Sequence, residues 1–234
     1  MAINNYTTRL YCYSQDGEAY GTGFFVSHGE NKYCVTAKHV LLDENQYERI
    51  KILGIGGSPE ADLNYRKVEL HHSEAVDLAV FNVKEIFGSD DFIYHSIPFE
   101  NIATTEKLKA IPDGVSFIMN GFPDNPHIGE LLGDSSQTID LQVGGFYENT
   151  EIKAGRRADY IITNFETPNK TEDLQSASGA PVFQKDDESL LVGIFTAHMP
   201  FMHTDSDGES RELQMQTSLS ANYLLRMIEN LERN

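Results

Sequence analysis

Three short stretches carry residue types suited to nucleophilic catalysis. Val35-Thr36-Ala37-Lys38-His39-Val40 places a histidine directly after a strand-like run. Val76-Asp77-Leu78-Ala79-Val80-Phe81 sets a lone carboxylate in an apolar run. Ser176-Ala177-Ser178-Gly179-Ala180-Pro181-Val182-Phe183 sets a serine among small residues, which permit a sharp turn and close backbone approach. Singly, each has an ordinary reading: a packed histidine, a carboxylate capping a strand from solvent, a solvated loop. Together they explain one another. A carboxylate buried without a partner costs several kcal/mol, so Asp77 calls for a donor. A histidine beside it gains a fixed tautomer, and a serine beside that histidine gains a base. Nucleophile, base and orienter in this order suit acyl transfer, with amides of the serine turn at hand for a developing oxyanion.

The elements that must position these residues read as strands. Leu10 to Tyr13, Gly21 to Val26 and Lys32 to Thr36 are aromatic and β-branched runs bounded by Gly, Asp and Asn turns. Further strands are expected at 49–54, 66–70 and 76–83, with a loop over 54–64. After a weakly periodic connector at about 84–113, strand-like runs resume at 115–119, 138–143, 159–165, 181–183 and 190–195. The last segment differs in kind. Leu224, Leu225, Ile228 and Leu231 recur at helical spacing, with Ser220 placed as an N-cap, predicting a helix over 220–232. Many short strands closed by one helix argue for an all-β barrel or sandwich.

Composition bounds the rest. The chain has 234 residues, 40% hydrophobic and 23% charged, with no apolar run long enough to span a membrane. Met1 to Arg9 lacks the basic-then-apolar pattern of a signal peptide, so the expected location is cytoplasmic. Thirty-six acidic against eighteen basic residues give a formal charge of −18, which repels nucleic acid and anionic membranes. That charge either serves solubility or attracts basic segments. Cys12 and Cys34 are too few for a disulfide framework and lack zinc spacing, so free buried thiols are expected.

Gly21-Thr22-Gly23-Phe24-Phe25-Val26, Thr36-Ala37-Lys38-His39-Val40, Asp77-Leu78-Ala79-Val80, Ser176 to Pro181 and Val192 to Ala197 resemble the trypsin/chymotrypsin-like serine peptidases. Gly193 to Ala197 is closer to the HtrA-like members, with no PDZ domain expected. The resemblance covers nearly the whole chain. It implies two perpendicular six-stranded antiparallel β-barrels with a cleft between them and a C-terminal helix. One peptidase unit, 1–234, would divide into a first barrel, 1–105, carrying His39 and Asp77, and a second, 106–234, carrying Ser178. By position His39 resembles the general base, Asp77 the orienting carboxylate and Ser178 the nucleophile. The amides of Ser176 and Ser178 match the oxyanion donors, and Thr196 matches a hydroxyl residue lying against the buried carboxylate. The resemblance implies no metal and no organic cofactor.

Two departures stand out. Ser176 replaces the usual glycine, so the oxyanion hole is expected to form either unaided or only with substrate or a partner bound. Ala177 replaces the acidic residue that pairs with a new N-terminus in trypsin, so that activation is excluded. Substrate contacts are expected at Glu172, Thr196, Ala197 and His198. A carboxylate at Glu172 would favour Lys or Arg in the substrate, or else belongs to an exposed acidic loop. The expected substrate is a protein or peptide, with narrow specificity or a regulatory protein partner restraining a protease in the cytosol. Two other classes remain open: a protease-fold binding module without activity, and an esterase-like hydrolase.

Overall fold

The computed structural model describes residues 6–14, 17–41, 49–52, 61–64, 70–72, 76–83, 95–122, 137–153, 156–165, 174, 176–204, 208 and 210–233. Strands β1 (Thr7–Ser14), β2 (Gly17–His28), β3 (Asn31–Thr36), β4 (Arg49–Ile52), β5 (Ala61–Asn64), β6 (Leu70–His72), β7 (Ala79–Asn82) and β8 (Ile97–Pro98) form one sheet. Its order is β5-β4-β1-β2-β3-β7-β6, antiparallel throughout, with β8 pairing β2 in parallel. A second set, β9 (Val115–Gly121), β10 (Gln137–Lys153), β11 (Arg156–Phe165), β12 (Pro181–Gln184), β13 (Asp187–Thr204) and β14 (Ser210–Ser220), closes into a six-stranded barrel. Helix Asn222–Leu231 follows directly. No helix is long and apolar enough to cross a membrane, among the described residues.

Alternation along the strands sorts buried side chains into separate clusters, because successive side chains of a strand point to opposite faces. In β9, Phe117 and Met119 pack with Leu141, Ile161, Val182 and Phe195, while Ile118 faces the other way. In β12, Val182 joins the same cluster and Phe183 the opposite one. That opposite cluster unites the two sheets: Phe24, Val35, Leu78 and Val80 of the first meet Phe183, Ile194 and Leu219 of the second. Leu224 and Ile228 of the C-terminal helix seal it.

The expected chymotrypsin-like arrangement of two β halves and a C-terminal helix is present, with local differences; among the described residues the second half closes into a six-stranded barrel and the first is a sheet. The first sheet exceeds six strands because short edge strands, among them β5 inside the expected 54–64 loop, add to it. The expected 66–70 strand falls mostly outside the described residues. The expected 76–83 strand begins only at Ala79, since Leu78 N donates to Val76 O at 2.9 Å and closes a three-residue turn around Asp77. Ser220 is not the helix N-cap. It ends β14, and its hydroxyl donates to Asn222 Oδ1 at 2.7 Å, leaving Ala221 as the cap residue with no side-chain cap bond. Both cysteines are free and buried, and burial pushes the Cys12 thiol up to about 12.

Candidate active site

His39 sits on a single helical turn, Lys38–Leu41, that leaves the end of β3. Buried Val40 and Leu41 anchor this turn, and Val40 N donates to Ala37 O at 3.1 Å. Gly21 on β2 makes room for the anchor: a Cβ there would lie 2.3 Å from Val40 Cγ1. Asp77 approaches from the turn ahead of β7. Its Oδ1 accepts from the His39 backbone amide at 2.9 Å, and its Oδ2 meets His39 Nδ1 at 2.6 Å. Two contacts from one carboxylate to one residue fix both the position and the ring orientation of the histidine. Burial works to raise the Asp77 pKa, but hydrogen bonds and charge from His39, with the Lys38 amide, outweigh it and hold the carboxyl below its usual range. The pair is less secluded than a buried carboxylate reading implies: the side chains are 48% and 35% exposed. Tyr160 of β11 brings the second barrel close. Burial first, then the Asp77 charge, raises its phenol.

The serine turn docks against this corner through its backbone. Ser178 O accepts from Thr22 N at 2.9 Å, and Gly179 N donates to Phe195 O at 2.8 Å. Gly179 has φ +92, and a Cβ there would lie 2.1 Å from Thr22 O, 2.4 Å from Thr36 Oγ1 and 3.0 Å from Ala37 N. Only glycine fits, which sets the turn at Gly179 against β2 and the segment leading into His39. Ser176 also takes a left-handed conformation, φ 69, at a cost of about 1–2 kcal/mol for a residue with a Cβ. An accounting of amides in the turn is informative. Ala177 N donates to Leu174 O, Gly179 N to Phe195 O and Ala180 N to Ala177 O. Ser176 and Ser178 are left as the two amides of this turn that donate to no acceptor among the described residues. Among those residues, too, no hydrogen bond joins Ser178 to His39: the serine turn is bonded to Thr22, and His39 to Asp77.

Solved structures of similar fold include several proteases. The HtrA-type protease AlgW with a tripeptide matches with a TM-score of 0.59 at 15% identity, over 97% of this chain and 60% of that one. A thermostable serine protease, AL20, from an extremophilic microorganism matches at 0.60 and 12%, over 95% and 98% of the two chains. A catalytically active tobacco etch virus protease complexed with product matches at 0.57 and 11%, over 98% and 79%. The chain has the chymotrypsin-like serine protease fold. It spans about 60% of the length of the HtrA-type chain. No protein-family profile matches it, and no curated protein does.

On this fold the other expected site residues fall unevenly. Thr196 occupies a β-bulge, where pairing shifts between Phe195/Ser218 and Ala197/Thr217. Its hydroxyl donates to Thr217 O at 3.1 Å, so its hydrogen bond goes across the strand pair and not to Asp77. Ala197 is half-buried just beyond. His198 follows on β13, its side chain outside the described residues, as is Glu172 altogether. Ala177 is fully buried among Leu174, Ala180, Val182 and Phe195, where a carboxylate would lack a partner. The residue that sequence reading missed is Thr22. It lies inside the Gly21-Thr22-Gly23 stretch, read as a strand and as part of the family resemblance; a polar residue between two glycines is the signal, and the structure buries its hydroxyl.

Proposed function

We propose that the chain is a serine endopeptidase that cleaves peptide bonds through an acyl-enzyme. The observation that carries this is the Asp77 carboxylate gripping His39 at Nδ1 and at the backbone amide, 2.6 and 2.9 Å, beside the docked Ser178 turn. With Nδ1 engaged, the His39 ring has Nε2 left to take the Ser178 hydroxyl proton as the oxygen attacks the substrate carbonyl. The same nitrogen returns the proton to the leaving amine, and Asp77 stabilises the intervening imidazolium. The amides of Ser176 and Ser178 receive the oxyanion, each such donor being worth on the order of 3 kcal/mol. The absence of a Ser178–His39 hydrogen bond among the described residues suits a free site that tightens when substrate arrives. The bulged segment around Thr196, Ala197 and His198 lies along the substrate, and Glu172 contributes a carboxylate for basic side chains. A peptide bound to an HtrA-type structure of the same fold supports a protein or peptide substrate.

Labelling with a fluorophosphonate tests the reading. Wild type is expected to react once per chain, Ser178→Ala not at all, and His39→Ala at least about 10³-fold more slowly. A wild-type protein that stays unlabelled, with and without peptide present, sinks it.

A further inference from the structure

Thr22 sits where the two halves of the site meet, and all its polar atoms are engaged. Its hydroxyl donates to Ser176 O at 3.1 Å and accepts from Phe122 N at 3.0 Å. Its amide donates to Ser178 O at 2.9 Å, and its carbonyl accepts from Thr36 Oγ1 at 2.8 Å. One fully buried residue of β2 thus holds carbonyls on either side of Ala177, the end of β9 and the segment before His39. The segment it holds has no charged residue, and its Ser176 lies at φ 69, a conformation uncommon for a residue with a Cβ.

We propose that Thr22 is a positioning residue for the oxyanion site: its hydroxyl keeps Ser176 left-handed and so leaves the amides of Ser176 and Ser178 facing the substrate. The argument is one of peptide geometry. Rotating the 176–177 peptide out of its present setting swings the Ser176 carbonyl away from Thr22, and the bond from Thr22 Oγ1 opposes that rotation. The bond from Thr22 N fixes the next carbonyl but one, so the turn is held at both ends from the first barrel. Unlike a charged anchor, two neutral hydrogen bonds keep this hold independent of pH. Ser176 in place of glycine then becomes tolerable, because the partner residue supplies what glycine supplies by conformational freedom.

This proposal rests on the peptidase reading, and its test separates the two. Thr22→Val keeps shape and removes the hydroxyl, while Thr22→Ser keeps the hydroxyl. With rates normalised to fluorophosphonate-titrated sites, Thr22→Val is expected to lose about 30-fold in kcat with KM changed by less than about threefold, the pattern of an interaction made in the transition state. Thr22→Ser should stay within about threefold of wild type. Ser176→Gly added to Thr22→Val should recover about tenfold, since glycine adopts the left-handed conformation without help. Amide hydrogen exchange at residues 176–180 reads the same event without catalysis, and should quicken about tenfold in Thr22→Val only. Should Thr22→Val fail to fold, Thr22→Ala is read against the same expectations. Wild-type kcat together with wild-type exchange in the hydroxyl-less variant overturns the proposal, as does a lowered melting temperature with kcat per titrated site unchanged. A wild type that never labels overturns the peptidase reading instead, and leaves exchange to decide on Thr22.

Discussion

The two halves of the site are held by opposite means. His39 and Asp77 meet through side-chain hydrogen bonds on a half-exposed surface, with solvent on one side of both. The turn at 176–180 contains no charged residue, and is fixed by backbone hydrogen bonds, by the neutral hydroxyl of Thr22 and by contacts so tight that a methyl at Gly179 has no room. One half depends on the chemistry of two groups, the other on space. Substitutions should therefore fail differently on the two sides. A change of charge without change of shape should disable the first half and spare the fold, while a change of shape without charge should damage the fold around the second.

Asp77→Asn is the sharpest break on the chemical side. The asparagine oxygen can keep the His39 amide bond of 2.9 Å, but its NH₂ then faces Nδ1 and favours the tautomer with the proton on Nε2. That nitrogen can no longer accept from Ser178. A loss of about 10⁴-fold in kcat at neutral pH is expected, roughly 5.5 kcal/mol in the transition state, with the melting temperature within a few degrees of wild type. The acid limb adds a second signature. Asp77 in the folded chain titrates below its ordinary 3.8, so the stability it contributes is complete above that value and lost as pH falls through the lower one. Thermal melts should show the advantage of wild type over Asp77→Asn narrowing only below about pH 4. A gap that already closes near neutrality would mean that the His39–Asp77 pair does not form in solution.

Gly179→Ala is the counterpart on the packing side. The added Cβ meets the Thr22 carbonyl at 2.1 Å and Thr36 Oγ1 at 2.4 Å, at a φ of +92 that side chains avoid. Backbone must move, and about 3 kcal/mol or more is expected, seen as a fall of about 10 °C in melting temperature. Activity should fall with it. Full stability in this variant would show that the turn is looser than its contacts imply.

The contrast also explains what the sequence disclosed. Residue type marks His39, Asp77 and Ser178 as candidates, because a lone carboxylate in an apolar run and a serine among glycine, alanine and proline are chemically unusual; the structure pairs the first two. Strands rich in aromatic and β-branched residues, such as β2 and β3, were legible for the same reason. Strand β14, Ser-Arg-Glu-Leu-Gln-Met-Gln-Thr-Ser-Leu-Ser, was not: its residues are weak strand formers, and it exists because β11 and β13 hydrogen-bond it on both sides. The turn that presents Asp77 was read as straight strand, since apolar composition does not distinguish a buried strand from a buried bend. Thr22 was invisible in function because its partners lie 154 and 100 residues away in the chain.

A third region tests whether side-chain hydrogen bonds at a surface are weak wherever they serve no chemistry. Glu232, just past the C-terminal helix, accepts from Tyr33 Oη at 2.5 Å and from Asn31 Nδ2 at 3.1 and 3.3 Å, and lies 3.4 Å from His28 Nδ1. This ties the end of the second barrel's helix to the β2–β3 hairpin of the first sheet. The Tyr33 hydrogen bond foremost holds the Glu232 carboxyl below its ordinary 4.5. Tyr33→Phe keeps the buried ring and removes the hydroxyl. With the carboxylate solvated, about 0.5–1 kcal/mol is expected, a shift of roughly 1–4 °C in melting temperature. Because the folded pKa of Glu232 is depressed, that contribution is whole above pH 4.5 and fades as pH falls below it. Activity should be unchanged, since no contact in this cluster involves His39, Asp77 or Ser178. A loss of kcat comparable to that of Asp77→Asn would show instead that the helix clasp is coupled to the site, and that the two barrels move against each other when it opens.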